Sequence, residues 1–392
     1  SKANDIIKKI NKNTKDAKAI LGGSGAKGTW LKTFDADIFV KFSYDKYNEK
    51  SDKLSDILGK ILEKVYPKTV RLHGSRDYFQ IKPDRFTFEI IPILNIKNPS
   101  KAKNITDVSP LHSEFVLKYK KLVDEIRLTK QFCKACNIYG AESYIRGFSG
   151  YICEILTIYY GSFLNLIRNA AKWKDKSVVD IKKYYKGKDI FREINKSKLV
   201  SPLIVIDPVQ KDRNAAAALS IEKFELLKKK AKEFLNKPSK EFFIIKEFSI
   251  ASLKEKYKNK KLVLLEIDPL KRKEDITGTK LLKAFEFINK ELNKNDFKII
   301  DNGWNWDKKN TAYFYFVFDN KPLPETKEQI GPPAKLSFHA GKFRKKYKKI
   351  TIRKKRMIAI IKREFRRPED ILKFLIMNDY LKDKLKKIKI VK

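Results

Sequence analysis

Between Leu21 and Phe42 the chain reads LGGSGAKGTWLKTFDADIFVKF, and this stretch limits what the rest of the fold can be. Gly22, Gly23, Ser24 and Gly25 make a small-residue loop, Lys27 follows, and Asp35 and Asp37 stand two apart in an alternating segment. Positions i and i+2 of a strand share a face, so the two carboxylates converge while Ala36 and Ile38 turn towards a core. A small-residue loop lets backbone N–H groups approach a phosphate, and paired carboxylates hold a hard, oxygen-seeking cation such as Mg²⁺. Loop and strand together read as a nucleoside triphosphate site for phosphoryl or nucleotidyl transfer. Either half alone is common, the loop as a turn and Asp-x-Asp on solvated strand edges; the joint spacing carries the assignment. The loop is not a P-loop, because no Gly-Lys-Ser/Thr follows at the required offset.

A third acid lies downstream. Phe86–Ile91 alternates, with Phe86, Phe88 and Ile90 on one face and Thr87, Glu89 and Ile91 on the other. Glu89 is thus a charge on a strand that otherwise reads as buried, and an unpaired buried carboxylate is costly. A cation shared with Asp35 and Asp37 supplies a partner; an edge strand facing water is the alternative. Cys133 and Cys136 form one C-x-x-C and Cys153 is the only other cysteine, so buried thiols are expected rather than zinc. His73, His112 and His339 are too scattered for a histidine metal site.

Charge narrows the partner. Lys+Arg total 89 against 47 Asp+Glu in 392 residues, a net +42, which points to a polyanion. Biased composition would also enrich lysine, yet this excess is large for an enzyme of small metabolites. RNA or DNA is favoured over membrane, since no run of about 18 apolar residues occurs and no signal-peptide pattern opens the chain. Three cysteines argue against a disulfide scaffold and for a reducing, cytoplasmic setting.

Residues 1–20 read as a polar helix, and Lys50–Tyr66, with Leu54, Ile57, Leu58, Ile61, Leu62 and Val65 at helical spacing, as an amphipathic helix covering a sheet. Val70–Leu94 reads as strands. Ser113 to Trp173 is helical with breaks at Tyr139-Gly140 and Gly147–Gly150, and Ser109-Pro110-Leu111-His112 precedes it with a hydroxyl and an imidazole. Asp207-Pro208 marks a turn, and Ala215–Leu219 reads as a helix start at which Arg213 is out of place. Beyond Pro238, strands at Lys261–Ile267, Phe297–Asn302 and Thr311–Phe318 and a helix at Leu281–Leu292 suggest a small α/β unit. Trp304 and Trp306 read as packing inward rather than stacking on a base. Gly341–Lys392 carries 21 Lys+Arg against 5 Asp+Glu.

With these residues in place, the chain resembles the archaeal (class I) CCA-adding enzymes, tRNA nucleotidyltransferases of the polymerase-β superfamily. The resemblance covers most of the length and rests on GGSGAKGTWL with DADIF, on SPLH, and above all on NIYGAESYIRGFSGYICEIL and DPVQKDRNAAAALS. It implies a multidomain α+β chain: a catalytic head with a mixed sheet (1–116), a helical neck (117–240), a small α/β body (241–335) and a basic tail (336–392). It implies that Asp35, Asp37 and Glu89 bind Mg²⁺ and are catalytic. Ser24, Lys27, Ser109, His112, Lys130 and Tyr139 would hold the triphosphate, and Arg213 would read the incoming base. Departures from the family are Lys27 where arginine is common, Gly25 for a tyrosine, Glu89 for aspartate, Ser109 for threonine, and a shorter C-terminal region. Lysine keeps the charge of arginine and loses its bidentate geometry.

The implied activity is addition of C, C and A to tRNA from CTP and ATP without a nucleic-acid template, by two-metal nucleotidyl transfer. tRNA would be read through its acceptor and TΨC stem, by shape and backbone. A homodimer is compatible with these partners. Two rivals stand beside it: another polymerase-β-type transferase such as a poly(A)-adding enzyme, and an inactive RNA-binding module.

Overall fold

The structure is a computed structural model and describes residues 2–31, 36–83 and 86–391. Asp35 lies outside the described residues. The chain forms two compact units, Ser1–Lys246 and Glu247–Lys392.

The first unit begins with α1 (Lys2–Lys12), which buries Ile6 and Ile10, one helical turn apart on one side. The polar helix expected over 1–20 therefore stops at Lys12. Ala17–Leu21 is instead β1, an edge strand paired antiparallel with β2 (Ala36–Ser43). The glycine loop between them coils into a short helix, α2 (Gly23–Lys27). After α3 (Tyr44–Tyr47), α4 (Leu54–Val65) buries Leu54, Leu58 and Leu62 as its periodicity demands. Strands β3 (Val70–Leu72), β4 (Tyr78–Ile81) and β5 (Phe88–Asn95) complete a sheet ordered β1-β2-β5-β4-β3, in which β2 and β5 run parallel. Ile38, Val40, Phe42, Ile90 and Leu94 pack on the α1 and α4 residues in one core. Phe86 is exposed ahead of β5 rather than on its core face.

Helices follow: α5 (Ser109–Leu117), α6 (Val123–Ala135), α7 (Gly150–Tyr160) and α8 (Phe163–Ala170). Ser109 to His112 is the first turn of α5, not a lead-in to it. A two-stranded parallel pair, β6 (Ser177–Val179) and β7 (Leu203–Val205), brackets the short α9 (Ile190–Glu193), and α10 (Ile221–Asn236) closes the unit. Phe132, Phe148, Ile155, Phe163, Trp173 and Phe224 form its second core. Cys133, Cys136 and Cys153 are free thiols buried in that core.

The helix expected from Ala215 does not form. Asn214 Oδ1 accepts from the Val205 and Ala216 N–H groups, and the Ala215 N–H donates to the Val205 carbonyl. The alanine run is thereby folded into turns against β7. Helix α10 starts at Ile221, where the Ser220 hydroxyl caps the Lys223 N–H.

In the second unit, α11 (Ile250–Lys256) and β8 (Lys261–Pro269) lead to α12 (Glu274–Lys294), β9 (Asp301–Trp306) and β10 (Ala312–Phe318). The strand expected from Phe297 starts at Asp301, and Phe297 itself is buried. A second sheet, ordered β11-β13-β12, is made by β11 (Thr326–Pro333), β12 (Ile350–Arg353) and β13 (Arg356–Lys362), with α13 (Ser337–Lys346) between its first two strands in the chain. Helices α14 (Pro368–Leu375) and α15 (Asp379–Lys384) precede β14 (Leu385–Val391), which pairs with β8 to give the order β14-β8-β10-β9. Leu265, Ile288, Phe314 and Phe316 share one core with Ile371, Leu372, Leu381 and Leu385, and Trp304 and Trp306 pack half-buried against it.

Candidate active site

Strands β2 and β5 set the acidic end. Their parallel register places Asp37 directly beside Glu89, with Ile38 beside Ile90 on the core side. Neighbouring strands lie about 4.8 Å apart, so the two carboxylates project as a pair from the face opposite the core. Helix α2 covers that face closely. The Gly22 N–H donates to the Asp37 carbonyl at 2.8 Å. A Cβ at Gly23, where φ is +52°, would lie 1.6 Å from Asp37 Oδ2. Glycine is required here by conformation and by space. Ser24 and Lys27 sit on this same short helix.

Lys27 does not stand alone. Its Nζ donates to Glu154 Oε2 at 2.6 Å, while Lys130 Nζ and Thr29 Oγ1 each donate to Glu154 Oε1 at 2.7 Å. Lys130 also reaches Thr29 Oγ1 at 3.0 Å and the Thr29 carbonyl at 3.2 Å. Glu154 is completely buried on α7. Burial works to raise its carboxyl, but the Lys27 and Lys130 charges and their hydrogen bonds outweigh this and hold it below the usual range. Tyr139 joins the group at Gly150, where a Cβ would lie 2.8 Å from Tyr139 Oη and 3.6 Å from Lys130 Nζ. Burial, reinforced by Cys153 and Glu154, pushes the Tyr139 phenol up, so it remains a donor at neutral pH.

A second buried carboxylate gathers the remaining residues. Asp207 Oδ2 accepts from His112 Nε2 at 3.0 Å and from Arg213 Nη1 at 2.5 Å. Its Oδ1 accepts from the Tyr151 hydroxyl at 3.1 Å and the Val209 N–H at 2.9 Å. Burial alone would raise this carboxyl, but the hydrogen bond and attraction from His112, the Val209 N–H and Arg213 bring it down to about 2. The His112 and Tyr151 rings stack at 4.1 Å, and Lys27 Nζ lies 6.0 Å from the Tyr151 ring centre, so the two groups adjoin. Ser109 shares the first turn of α5 with His112, and just before it Asp107 pairs with Arg76 and accepts from the Leu94 and Asn104 N–H groups.

Residues 1–122 match the family described as "Nucleotidyltransferase domain", 124–244 "tRNA nucleotidyltransferase, second domain", and 258–384 "CCA-adding enzyme, C-terminal domain". The CCA-adding enzyme of Nanoarchaeum equitans is 37% identical over 363 residues, which cover 92% of this chain and 88% of that one. The chain belongs to the CCA-adding enzyme family. A second member, the CCA-adding enzyme of Methanocaldococcus jannaschii, is 32% identical over 96% of this chain and 85% of its own. A structure of Cid1, described as having RNA terminal uridylyl transferase activity, superposes with a TM-score of 0.50 over 64% of this chain and 92% of that chain. At 13% identity it shows a shared fold alone.

Nucleotidyltransferase membership implies use of a divalent metal. The Asp37–Glu89 pair fits such an ion by donor chemistry: two carboxylates on adjoining strands, facing away from the core. Among the described residues no group of three or more His, Cys, Asp or Glu side chains is gathered for a metal.

Glu154 and Asp207 are the residues that sequence reasoning overlooked as parts of the site. Each left a signal: an acid inside the apolar run YICEIL, and an acid fixed before a proline. A buried charge demands a partner, at Glu154 and Asp207 as at Glu89.

Proposed function

We infer that this chain adds C, C and A to the 3′ end of tRNA from CTP and ATP, with release of pyrophosphate and without a nucleic-acid template. The observation that carries this is the succession of three family matches along 1–122, 124–244 and 258–384, together with a relative called CCA-adding enzyme that aligns over 92% of the chain. A poly(A)-adding relative would share the carboxylates, but the C-terminal match favours CCA addition over it.

In this reading Asp35, Asp37 and Glu89 hold the metal, and Mg²⁺ is the ion. Bound there, it would activate the attacking 3′-hydroxyl and neutralise charge on the departing pyrophosphate. Lys27 and Lys130 take the triphosphate as cations, and Ser24, Ser109, His112 and Tyr139 add donors that orient it. Holding the phosphates in line supplies positioning and electrostatic stabilisation, so no covalent nucleophile is needed. CTP and ATP are alike in their phosphates, which leaves selection to the base. Arg213, held by Asp207 and part exposed, offers donors to acceptors such as cytosine O2 and N3 or adenine N1.

The neck (117–240) would carry base recognition, and the basic residues beyond Gly341 would bind the acceptor and TΨC stem in the cytoplasm. No helix among the described residues is long and apolar enough to cross a membrane. Phosphate contacts release counterions, so tRNA affinity is expected to fall about 100-fold or more between about 50 and 200 mM salt. A filter-binding titration measures this, and salt-insensitive affinity would make the +42 charge a matter of composition alone.

The function itself is tested with tRNA lacking its terminal CCA and single labelled nucleotides. CMP should be incorporated onto that tRNA, AMP only after two C residues, and UMP and GMP poorly at every step. Incorporation of AMP alone, onto any 3′ end, would favour the poly(A) reading instead.

A further inference from the structure

Three carboxylates among the described residues are fully enclosed: Asp107, Glu154 and Asp207. Asp107 is occupied with Arg76 and backbone N–H groups and serves the fold. Glu154 differs, because two of its three donors are the lysines assigned above to the triphosphate. A buried ion pair is a poor device for stability alone, since apolar packing of the same volume does as well or better. Its geometry suggests another purpose. Each carboxylate oxygen takes a different lysine, Oε2 at 2.6 Å and Oε1 at 2.7 Å, and the lysines come from separate segments, α2 and α6.

We propose that Glu154 is a positioning residue for nucleotide binding, whose two oxygens fix the spacing of Lys27 and Lys130 and so where the triphosphate lies relative to Asp37. This rests on the reading of those lysines as triphosphate ligands. The carboxylate cancels one of the two ammonium charges and leaves one in excess for the phosphates. Without it, two ammonium groups would face each other in an enclosed site, where burial and like charge both favour loss of a proton. The other titratable and charged groups around this point are Cys133 on α6, Tyr139 and Glu142 after it, Tyr151 and Cys153 on α7, His112 on α5 against Tyr151, and Asp207 and Arg213 beyond Tyr151. Of the two carboxylates, Asp207 is occupied by His112, Tyr151 and Arg213, and Glu142 lies on the Tyr139 side.

The test compares Glu154→Gln and Glu154→Asp with the parent full-length protein in steady-state CMP and AMP addition. Misplacement of binding groups by about 1 Å can cost 100-fold, so Glu154→Gln is expected to lower kcat/KM for CTP and ATP alike by about 10- to 100-fold. Most of this should appear in KM, with tRNA affinity and rejection of UTP unchanged. The loss relative to the parent should deepen as pH is raised from about 7 to 9, because burial and like charge then favour shedding one of the cations that grip the phosphates. Glu154→Asp keeps the charge but is one methylene short of spanning both lysines, and a loss of about 3- to 10-fold with a parent-like pH profile is expected. Parent-like use of both nucleotides by the two variants would overturn the proposal, as would a loss in Glu154→Gln matched by tRNA affinity and indifferent to pH. If Glu154→Gln does not fold, Glu154→Asp decides by the same comparison of KM with tRNA affinity. Lys27→Ala and Lys130→Ala are assayed alongside. Parent-like KM in both would refute the triphosphate reading itself, whereas impaired lysine variants beside unimpaired Glu154 variants would refute only the role of Glu154.

Discussion

Asp37→Ala is expected to abolish nucleotide addition, with kcat/KM reduced about 1000-fold or more, while tRNA affinity stays within about threefold. The expectation follows from the sheet. Asp37 and Glu89 are in-register partners on parallel strands, on the face that α2 covers, and a methyl group at Gly23 would collide with the Asp37 carboxylate. Nothing else among the described residues on β2 can replace that oxygen donor, because Ala36 and Ile38 belong to the core side. Removing the side chain leaves the core untouched, so the thermal midpoint should barely move. Glu89→Gln should lose activity in the same direction, and Glu89→Asp, which has the residue more usual in the family, should retain most of it. Rates of CMP addition across a Mg²⁺ titration decide the matter. Activity retained by Asp37→Ala at saturating Mg²⁺ would remove this residue from the metal site.

Asp207→Asn is expected to impair use of CTP and ATP and to loosen rejection of UTP and GTP. An asparagine preserves one acceptor for Tyr151 and the Val209 N–H but turns an NH₂ group towards His112 and Arg213, which are donors themselves. Arg213 then loses the anchor that orients its guanidinium. Losing one charged hydrogen bond to the base costs about 1.5–3 kcal/mol, or about 10- to 200-fold in nucleotide use. Stability responds as well. The Asp207 carboxyl is held at about 2 in the folded chain, below its ordinary value of 3.8. A depressed acid contributes stability that is present above the unfolded value and lost as pH falls through the folded one. The gap of nearly two pH units is worth about 2 kcal/mol at neutral pH. Denaturant unfolding of parent and variant should therefore differ at pH 7 and converge between about pH 4 and 2. Unchanged discrimination at the first C, second C and A steps would leave the Arg213–Asp207 pair a structural ion pair only.

Arg213 has a different setting in the structure from the one its sequence suggests. Against an expected helix start its charge opposes the macrodipole, which looks like a local cost offset by recognition. No helix starts there, and Asp207 supplies the counter-charge six residues away. Local patterning could not reveal this, because Asn214 sends the backbone back to β7 instead of forward into a helix.

Other parts were legible for identifiable reasons. Period-2 alternation placed Asp37 and Glu89 on the outward faces of their strands, and period-3.6 spacing located α4. The register between β2 and β5 was not legible, since a parallel pair is set by the crossover between its strands, not by either strand's own pattern. β14 was hidden for a simpler reason. Its sequence LKKIKIV alternates only over Ile388 and Ile390, and its lysines read as part of a basic tail. The consequence is practical. Cutting the chain near Gly331 would remove Ile371, Leu372, Leu375, Leu381 and Leu385 from the second unit's core, so the basic region is better tested by replacing exposed lysines.

The central claim is that one site adds three nucleotides in a fixed order and then stops. The direct measurement is end-sequencing of products formed from tRNA lacking CCA in the presence of all four nucleoside triphosphates. The account requires products that end in C, CC and CCA, accumulating at CCA with no further growth. Homopolymer tails, or products that continue past the third residue without pause, would contradict it.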